Sequence, residues 1–223
     1  MSDDAEHRRA EAIARVNAVD RETVAREEER AAFFDAVYDQ AEGDPAGVPW
    51  ADLAPKAQLA QWLAANPGKG ARALDVACGL GDNAEAIAAA GDATTAFDGA
   101  EKAIAWARRR FPGSGVDYRV ADLLQPPAAW GRGFDLVHEC YTIQSVPPER
   151  HADFIRAVAD LVAPGGTLLV YTRVRAEDEA AFGPPWALSP GELDQFAGAG
   201  LLPVSEERFA IERHGRVVPH AFL

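Results

Sequence analysis

Between Ala71 and Arg173 short apolar runs alternate with helical ones, and that alternation restricts the chain to very few folds. Runs at 71–77, 93–98, 116–120, 134–140 and 167–173 have the length and apolar content of buried strands. Helical patterns separate most of them, from Gly81 to about Ala90, from Ala100 to about Arg110, and from about Glu149 to Val162. Strands joined by helical crossovers lie parallel with helices on both faces. The expectation is therefore an α/β, doubly wound sheet that takes ligands at the carboxyl ends of its strands. Further on, Ser189, Pro190 and Glu192 read as a capping box starting a helix that ends near Gly198 to Gly200. The runs 201–212 and 216–223 flank His214 and Gly215 as a hairpin would. The sum is seven strands, five parallel plus a C-terminal antiparallel pair.

Residues 3–42 are charged and alanine-rich, and read as one or two helices. Phe34, Val37, Tyr38 and Ala41 recur at helical spacing, so the second helix carries an apolar stripe that needs a docking surface. A Gly/Pro connector at 43–50, a short helix from Gln58 to Ala65 and the turn NPGKG follow. A chain of 223 residues holds one α/β domain of ordinary size. The division expected is an N-terminal helical extension, 1–66, acting as a lid, and a ligand-binding domain, 67–223.

A net charge of −13, from 35 acidic and 22 basic residues, repels nucleic acid. The basic triplet Arg108, Arg109 and Arg110 falls at a helix C-terminus, where cations suit the dipole. No apolar run approaches the roughly 20 residues a bilayer crossing needs. The charged start lacks the apolar core of a secretory signal, and two cysteines make no disulfide framework. These features give the expectation of a cytoplasmic protein, monomer or homodimer, that meets neither nucleic acid nor membrane. The histidines show no metal-ligand spacing, so no metal is implied.

The stretch LDVACGLGDNAEAIAAAG, 74–91, carries the ligand question. From Gly79 and Gly81 to Ala84 it satisfies a loose dinucleotide fingerprint. However, Asp75 ends the strand and Asp82 sits in the turn, and carboxylates repel a pyrophosphate by about 1 kcal/mol or more at ~4 Å. A cationic, phosphate-free nucleoside suits the loop better. The residues D-V-A-C-G-L-G resemble the first motif of the class I SAM-dependent methyltransferases, (D/E)-x-G-x-G-x-G, with Ala77 where glycine is usual. The resemblance implies a Rossmann-like fold and S-adenosyl-L-methionine as cofactor. It assigns cofactor contacts to Asp75, Ala77, Gly79 and Gly81, the ribose hydroxyls to Asp98, and the adenine amino group to Asp122 in V-A-D-L, with Leu123 beside it. FDLVHECYTIQSVPP and LVAPGGTLLV resemble the later motifs, so the likeness spans 71–172. Alternatives stay open: Asp75 as a turn partner, Asp98 as a helix cap, Asp122 as the start of a turn, Asp82 as a solvent-facing loop residue.

VPWADLAPKAQLAQWL and FGPPWALSPGELDQF resemble segments of the thiopurine, thiol and halide methyltransferase group. That likeness implies Trp50 at the cofactor entrance and Trp186 closing a substrate pocket; both also read as packing anchors. It further implies a small-molecule acceptor such as a thiol, with a hydroxyl or amine as alternatives and a non-catalytic SAM-binding protein as the rival class. Strand alternation puts His138 and Cys140 on one face of H-E-C-Y, and Glu139 and Tyr141 on the other. Glu139 is the first candidate for a substrate-side catalytic group, followed by Tyr141 and His138. A carboxylate tied to backbone amides is the alternative for Glu139. Arg173 and Arg175 offer an anion-binding edge for substrate, or are solvated loop residues.

Overall fold

A computed structural model describes residues 7, 8, 10–12, 14, 28–213 and 215–223. His214, and most of the first N-terminal helix expected from the sequence, fall outside the described residues. The sheet has seven strands: β1 (Arg72–Val76), β2 (Ala93–Asp98), β3 (Asp117–Val120), β4 (Phe134–Cys140), β5 (Val162–Arg173), β6 (Glu207–Arg213) and β7 (Arg216–Phe222). They lie in the order β3-β2-β1-β4-β5-β7-β6. The first five run parallel, β7 is antiparallel to β5, and β6 pairs antiparallel with β7, as the alternation predicts. The helices are α1 (Glu28–Gln40), α2 (Ala57–Ala65), α3 (Asp82–Ala89), α4 (Glu101–Arg110), α5 (Pro148–Ala159) and the short α6 (Pro190–Leu193) and α7 (Gln195–Gly198).

Two expectations are adjusted. The Pro164-Gly165-Gly166 stretch does not separate a helix from a strand. It lies inside β5, where the register against β4 shifts between Phe134 and Leu136 and Gly165 takes a left-handed φ of 78°. The helix after Ser189 is broken in two at Asp194, although its capping box forms: Ser189 Oγ accepts from Glu192 N–H, and Glu192 Oε2 accepts from Ser189 N–H at 2.7 Å.

Pleating sends alternate β-strand residues to two cores. Leu74, Val76, Val137 and Val170 pack with Ile155, Val158 and Leu161 from α5 and the segment after it. Ala73, Leu136, Leu169 and Tyr171 pack with Leu59 and Leu63 of α2 and Ile87 of α3. A third cluster anchors the N-terminal extension. Tyr38, Ala41, Val48 and Ala51 pack on Leu80, Ala100, Ala103 and Trp106, with Phe34 and Trp50 at the margin. The apolar stripe of α1 therefore docks on α4 and on the loop after β1. Asp35 Oδ1 also accepts from Lys102 N–H in the first turn of α4, at 3.2 Å.

The loop joining β1 to α3 is left-handed at three residues, Ala77 (φ 49°), Gly79 (φ 55°) and Gly81 (φ 90°). At Gly81 a Cβ would collide with the Tyr118 hydroxyl, itself hydrogen-bonded to Glu85 Oε1 at 2.7 Å. Ala77 holds a similar conformation at the strain cost of an L-residue, about 1 kcal/mol. Urea titration should show Gly81→Ala losing roughly 2 kcal/mol or more, from backbone strain plus the collision, while Ala77→Gly changes stability by less than about 1 kcal/mol.

Candidate active site

Three carboxylates stand at adjacent strand tips. Asp75 pairs in register with Ala96 of β2, Asp98 pairs with Val120 of β3, and Asp122 follows two residues later. Backbone bonds from Cys78 N–H to Phe97 O (2.8 Å) and from Ala121 N–H to Asp98 O (3.1 Å) stitch the tips together.

Asp98 is the hinge of this ring. Its Oδ2 accepts from Gly79 N–H and its Oδ1 from Ala100 N–H, both at 2.9 Å. It therefore does cap the approach to α4, and fixes the β1 loop as well. Each oxygen keeps a further lone pair, so a vicinal diol finds two acceptors there. Burial pushes its carboxyl up to about 6, against the two amide bonds that favour the ionised form.

Asp75 is buried, and its Oδ1 lies 2.7 Å from His138 Nδ1, its register partner on β4. Its Oδ2 has no hydrogen-bond partner. His138 is a buried partner of that carboxylate, and its Nε2 has no hydrogen-bond partner among the described residues. Asp122 is exposed and its Oδ1 accepts from Leu124 N–H at 2.9 Å, the turn-forming role, while Leu123 is buried in the core.

Asp82 is neither solvent-facing nor a free charge. Arg110 grips both its oxygens, at 2.7 and 2.8 Å, and donates to Leu80 O at 2.6 Å. Arg110 thus fastens the loop after β1 to α4, and Arg108 donates to Tyr118 O. The helix-dipole reading missed these bonds because it considered α4 alone.

Over the loop, the Tyr38 hydroxyl lies 3.3 Å from where a Gly79 Cβ would stand and accepts from Trp50 Nε1 at 2.9 Å. Burial and the nearby Asp98 charge hold the Tyr38 phenol well above its usual range. Trp50 thus reaches the loop through Tyr38, a residue read from sequence only as part of an apolar stripe.

At the tip of β4 the expected alternation fails. Tyr141 has a left-handed φ of 66°, which turns its ring away from the Glu139 face and packs it with Cys140 and Tyr171. Glu139 is fully buried on the other side; its Oε1 accepts from Thr142 N–H (2.6 Å) and Ile143 N–H (3.1 Å). It tethers the turn after β4 through Oε1, the alternative weighed for it, while its buried Oε2 has no hydrogen-bond partner among the described residues. Burial pushes its carboxyl up to about 7 despite those amides. The Tyr141 hydroxyl meets His220 Nε2 at 2.8 Å. No sequence motif marks His220; its only signal was a position in the last strand. Lys56 Nζ lies 4.6 Å from the Tyr141 ring centre and pairs with Asp52.

The remaining candidates pack rather than open. Trp186 is buried, its backbone N–H donates to Gln144 O at 2.8 Å, and Gly183 lies against its ring. That is the anchor alternative. Arg173 N–H is bound by Gln144 Oε1 at 2.8 Å. Arg175 donates to Ala187 O, Glu179 O and Glu192 Oε2, which corrects the anion-binding edge to a loop clasp. Cys78 and Cys140 are free thiols whose pKa values burial raises, so neither is poised as a nucleophile. Among the described residues no His/Cys/Asp/Glu group could hold a metal, and no helix is long and apolar enough to cross a membrane.

Residues 73–166 match the family model described as a methyltransferase domain. The chain is 38% identical over 114 residues to a ubiquinone biosynthesis O-methyltransferase of Aromatoleum aromaticum, covering 50% of this chain and 48% of that one. It is 40% identical over 105 residues to the protein of that name from Xanthomonas campestris, covering 46% and 43%. The chain thus spans about half the length of the curated relatives it matches. Among solved structures it resembles the 1,6-didemethyltoxoflavin N1-methyltransferase of Burkholderia thailandensis, crystallised with S-adenosylhomocysteine, with a TM-score of 0.67 and 19% identity over 89% of each chain. That likeness bears on the fold.

Because Glu139 is protonated more readily folded than unfolded, its contribution is full below pH 4.5 and is lost as pH rises through about 7. Thermal melts should show Glu139→Gln gaining on the order of 3 kcal/mol over wild type above pH 8 and almost nothing at pH 4.

Proposed function

We propose that this chain, whose residues 73–166 match a methyltransferase-domain family model, is a class I SAM-dependent methyltransferase that moves the methyl group of S-adenosyl-L-methionine to a hydroxyl of a small molecule. Bound S-adenosylmethionine supplies an electrophilic methyl on a cationic sulfur. The observation that carries the reading is the strand-tip carboxylate ring: Asp98 with two lone pairs for a ribose diol, and Asp75 with a buried, unpartnered oxygen in a water-poor site. Asp75 favours the positive methionine end. Gly79 and Gly81 let the ligand approach the backbone, Ala77 shares their left-handed turn, and Asp122 with Leu123 borders the adenine. Tyr38 and Trp50 roof the site, and residues 28–66 act as its cover, which excludes water from the transfer.

Oxygen is preferred to sulfur as the acceptor for two reasons. A thiol needs little help, whereas a hydroxyl needs a proton acceptor, and Tyr141 with His220 supplies a polar pair beside the site. The relatives at 38% and 40% identity are named O-methyltransferases. The segments behind the thiol expectation pack as a connector and a loop anchor.

Incubation with labelled cofactor and a panel of phenols, alcohols, thiols and amines should give transfer to hydroxyls; transfer confined to thiols would replace the hydroxyl reading. Calorimetry should show cofactor affinity rising with pH through about 6 and then levelling, because protonated Asp98 loses an acceptor. Asp98→Asn should weaken binding by about 10- to 100-fold and flatten that profile.

A further inference from the structure

β6 is the outer strand of the sheet, paired with β7 on one side and with no described strand on the other. Its seven residues keep register with β7 from Glu207 against Phe222 to Arg213 against Arg216, with no bulge and no proline. An edge of that kind offers a row of backbone donors and acceptors to another strand. Pro219 tells which residues supply the row. Its carbonyl accepts from Val174 N–H on the β5 side at 3.0 Å and so faces away from β6, which makes Ala210 and Pro219 a register pair that exchanges no bonds. Ala210 therefore turns its own N–H and C=O outward, and with the two-residue period so do Arg208 and Glu212.

The strand reads Glu-Arg-Phe-Ala-Ile-Glu-Arg, and reversing it about Ala210 sets each charge against its opposite. In an antiparallel pairing with a second copy, Glu207 lies across from Arg213, Arg208 from Glu212 and Phe209 from Ile211, with Ala210 on the two-fold axis. The residues with outward backbone groups, 208, 210 and 212, then pair only with one another, so donors meet acceptors along the whole seam. Phe209 and Ile211 already pack on the same core and would share one face with their counterparts. Other pairings fit worse. A slip of two residues sets Glu207 against Ile211, and parallel strands in register set every charge against its like. Within the chain, Arg213 has Arg216 as its register partner, like against like, so an acidic residue suits its open side. Arg208 meets Glu206 through Nε at the exposed rim, and a guanidinium has further donors for a carboxylate across the seam.

We propose that this chain forms a two-fold dimer in which β6 of one copy adds to β6 of another, antiparallel and centred on Ala210, so that one sheet runs through both copies. The backbone row supplies the attraction, and the order of charges fixes direction and register. Its ion pairs are exposed, so the dimer weakens as salt rises.

Light scattering and sedimentation of the full chain test this. Wild type should reach the mass of two chains as concentration rises. Arg208→Glu makes both sides of one pair acidic and Glu212→Arg makes both basic; each should weaken the dimer by about 10-fold or more, and the two together should restore it to within about threefold. Mixed in equal amounts, the two single variants should associate with each other. Ala210→Pro spares the β7 ladder, because that N–H points outward, and should leave single chains. A wild type that stays at the mass of one chain would overturn the proposal, as would a dimer indifferent to these changes or a double variant no tighter than the singles. Hydrogen exchange of the wild-type dimer needs no variant: the amides of 208, 210 and 212 should exchange as slowly as those of β7, and exchange at the rate of an open edge would equally overturn it.

Discussion

One buried carboxylate holds the ligand end of this molecule together. Asp98 accepts a backbone N–H from the β1 loop and another from the entry to α4, so strand, loop and helix meet at a single side chain. A neutral residue of the same shape would keep only one of the two accepting oxygens. Burial makes the charge costly, which is why its carboxyl sits near 6, and a cationic ligand with a diol would repay that cost.

The neighbouring side chains hold the loop and its carboxylates in place. Arg110 neutralises Asp82 and grips the loop from below, so the repulsion of phosphate rests on Asp75 and Asp98 rather than on Asp82. His138 occupies one Asp75 oxygen and leaves the other. Tyr38 and Trp50 cover the loop, and their packing with Leu80, Ala103 and Trp106 fastens the N-terminal extension to it.

The fold was legible because its signals are periodic. The five parallel strands and the terminal antiparallel pair followed from alternation and the hairpin pattern, and the ring of Asp75, Asp98 and Asp122 from motif spacing. What the sequence hid were contacts across elements. Nothing local tells that Arg110 reaches Asp82, 28 residues away, or that His220 meets Tyr141 from 79 residues on. The face of Tyr141 was misassigned because alternation assumes extended backbone, and a φ of 66° breaks it. Glu139 illustrates a different limit: an acid at a strand tip reads the same whether it faces a substrate or, as here, two backbone amides.

The most direct test of the carboxylate ring is a pair of calorimetric titrations on the intact chain at neutral pH, one with S-adenosylhomocysteine and one with NAD. The account predicts one saturable site for the thioether nucleoside and no measurable heat with the pyrophosphate. Preference for NAD, or binding of S-adenosylhomocysteine unaffected by Asp98→Asn, would contradict it.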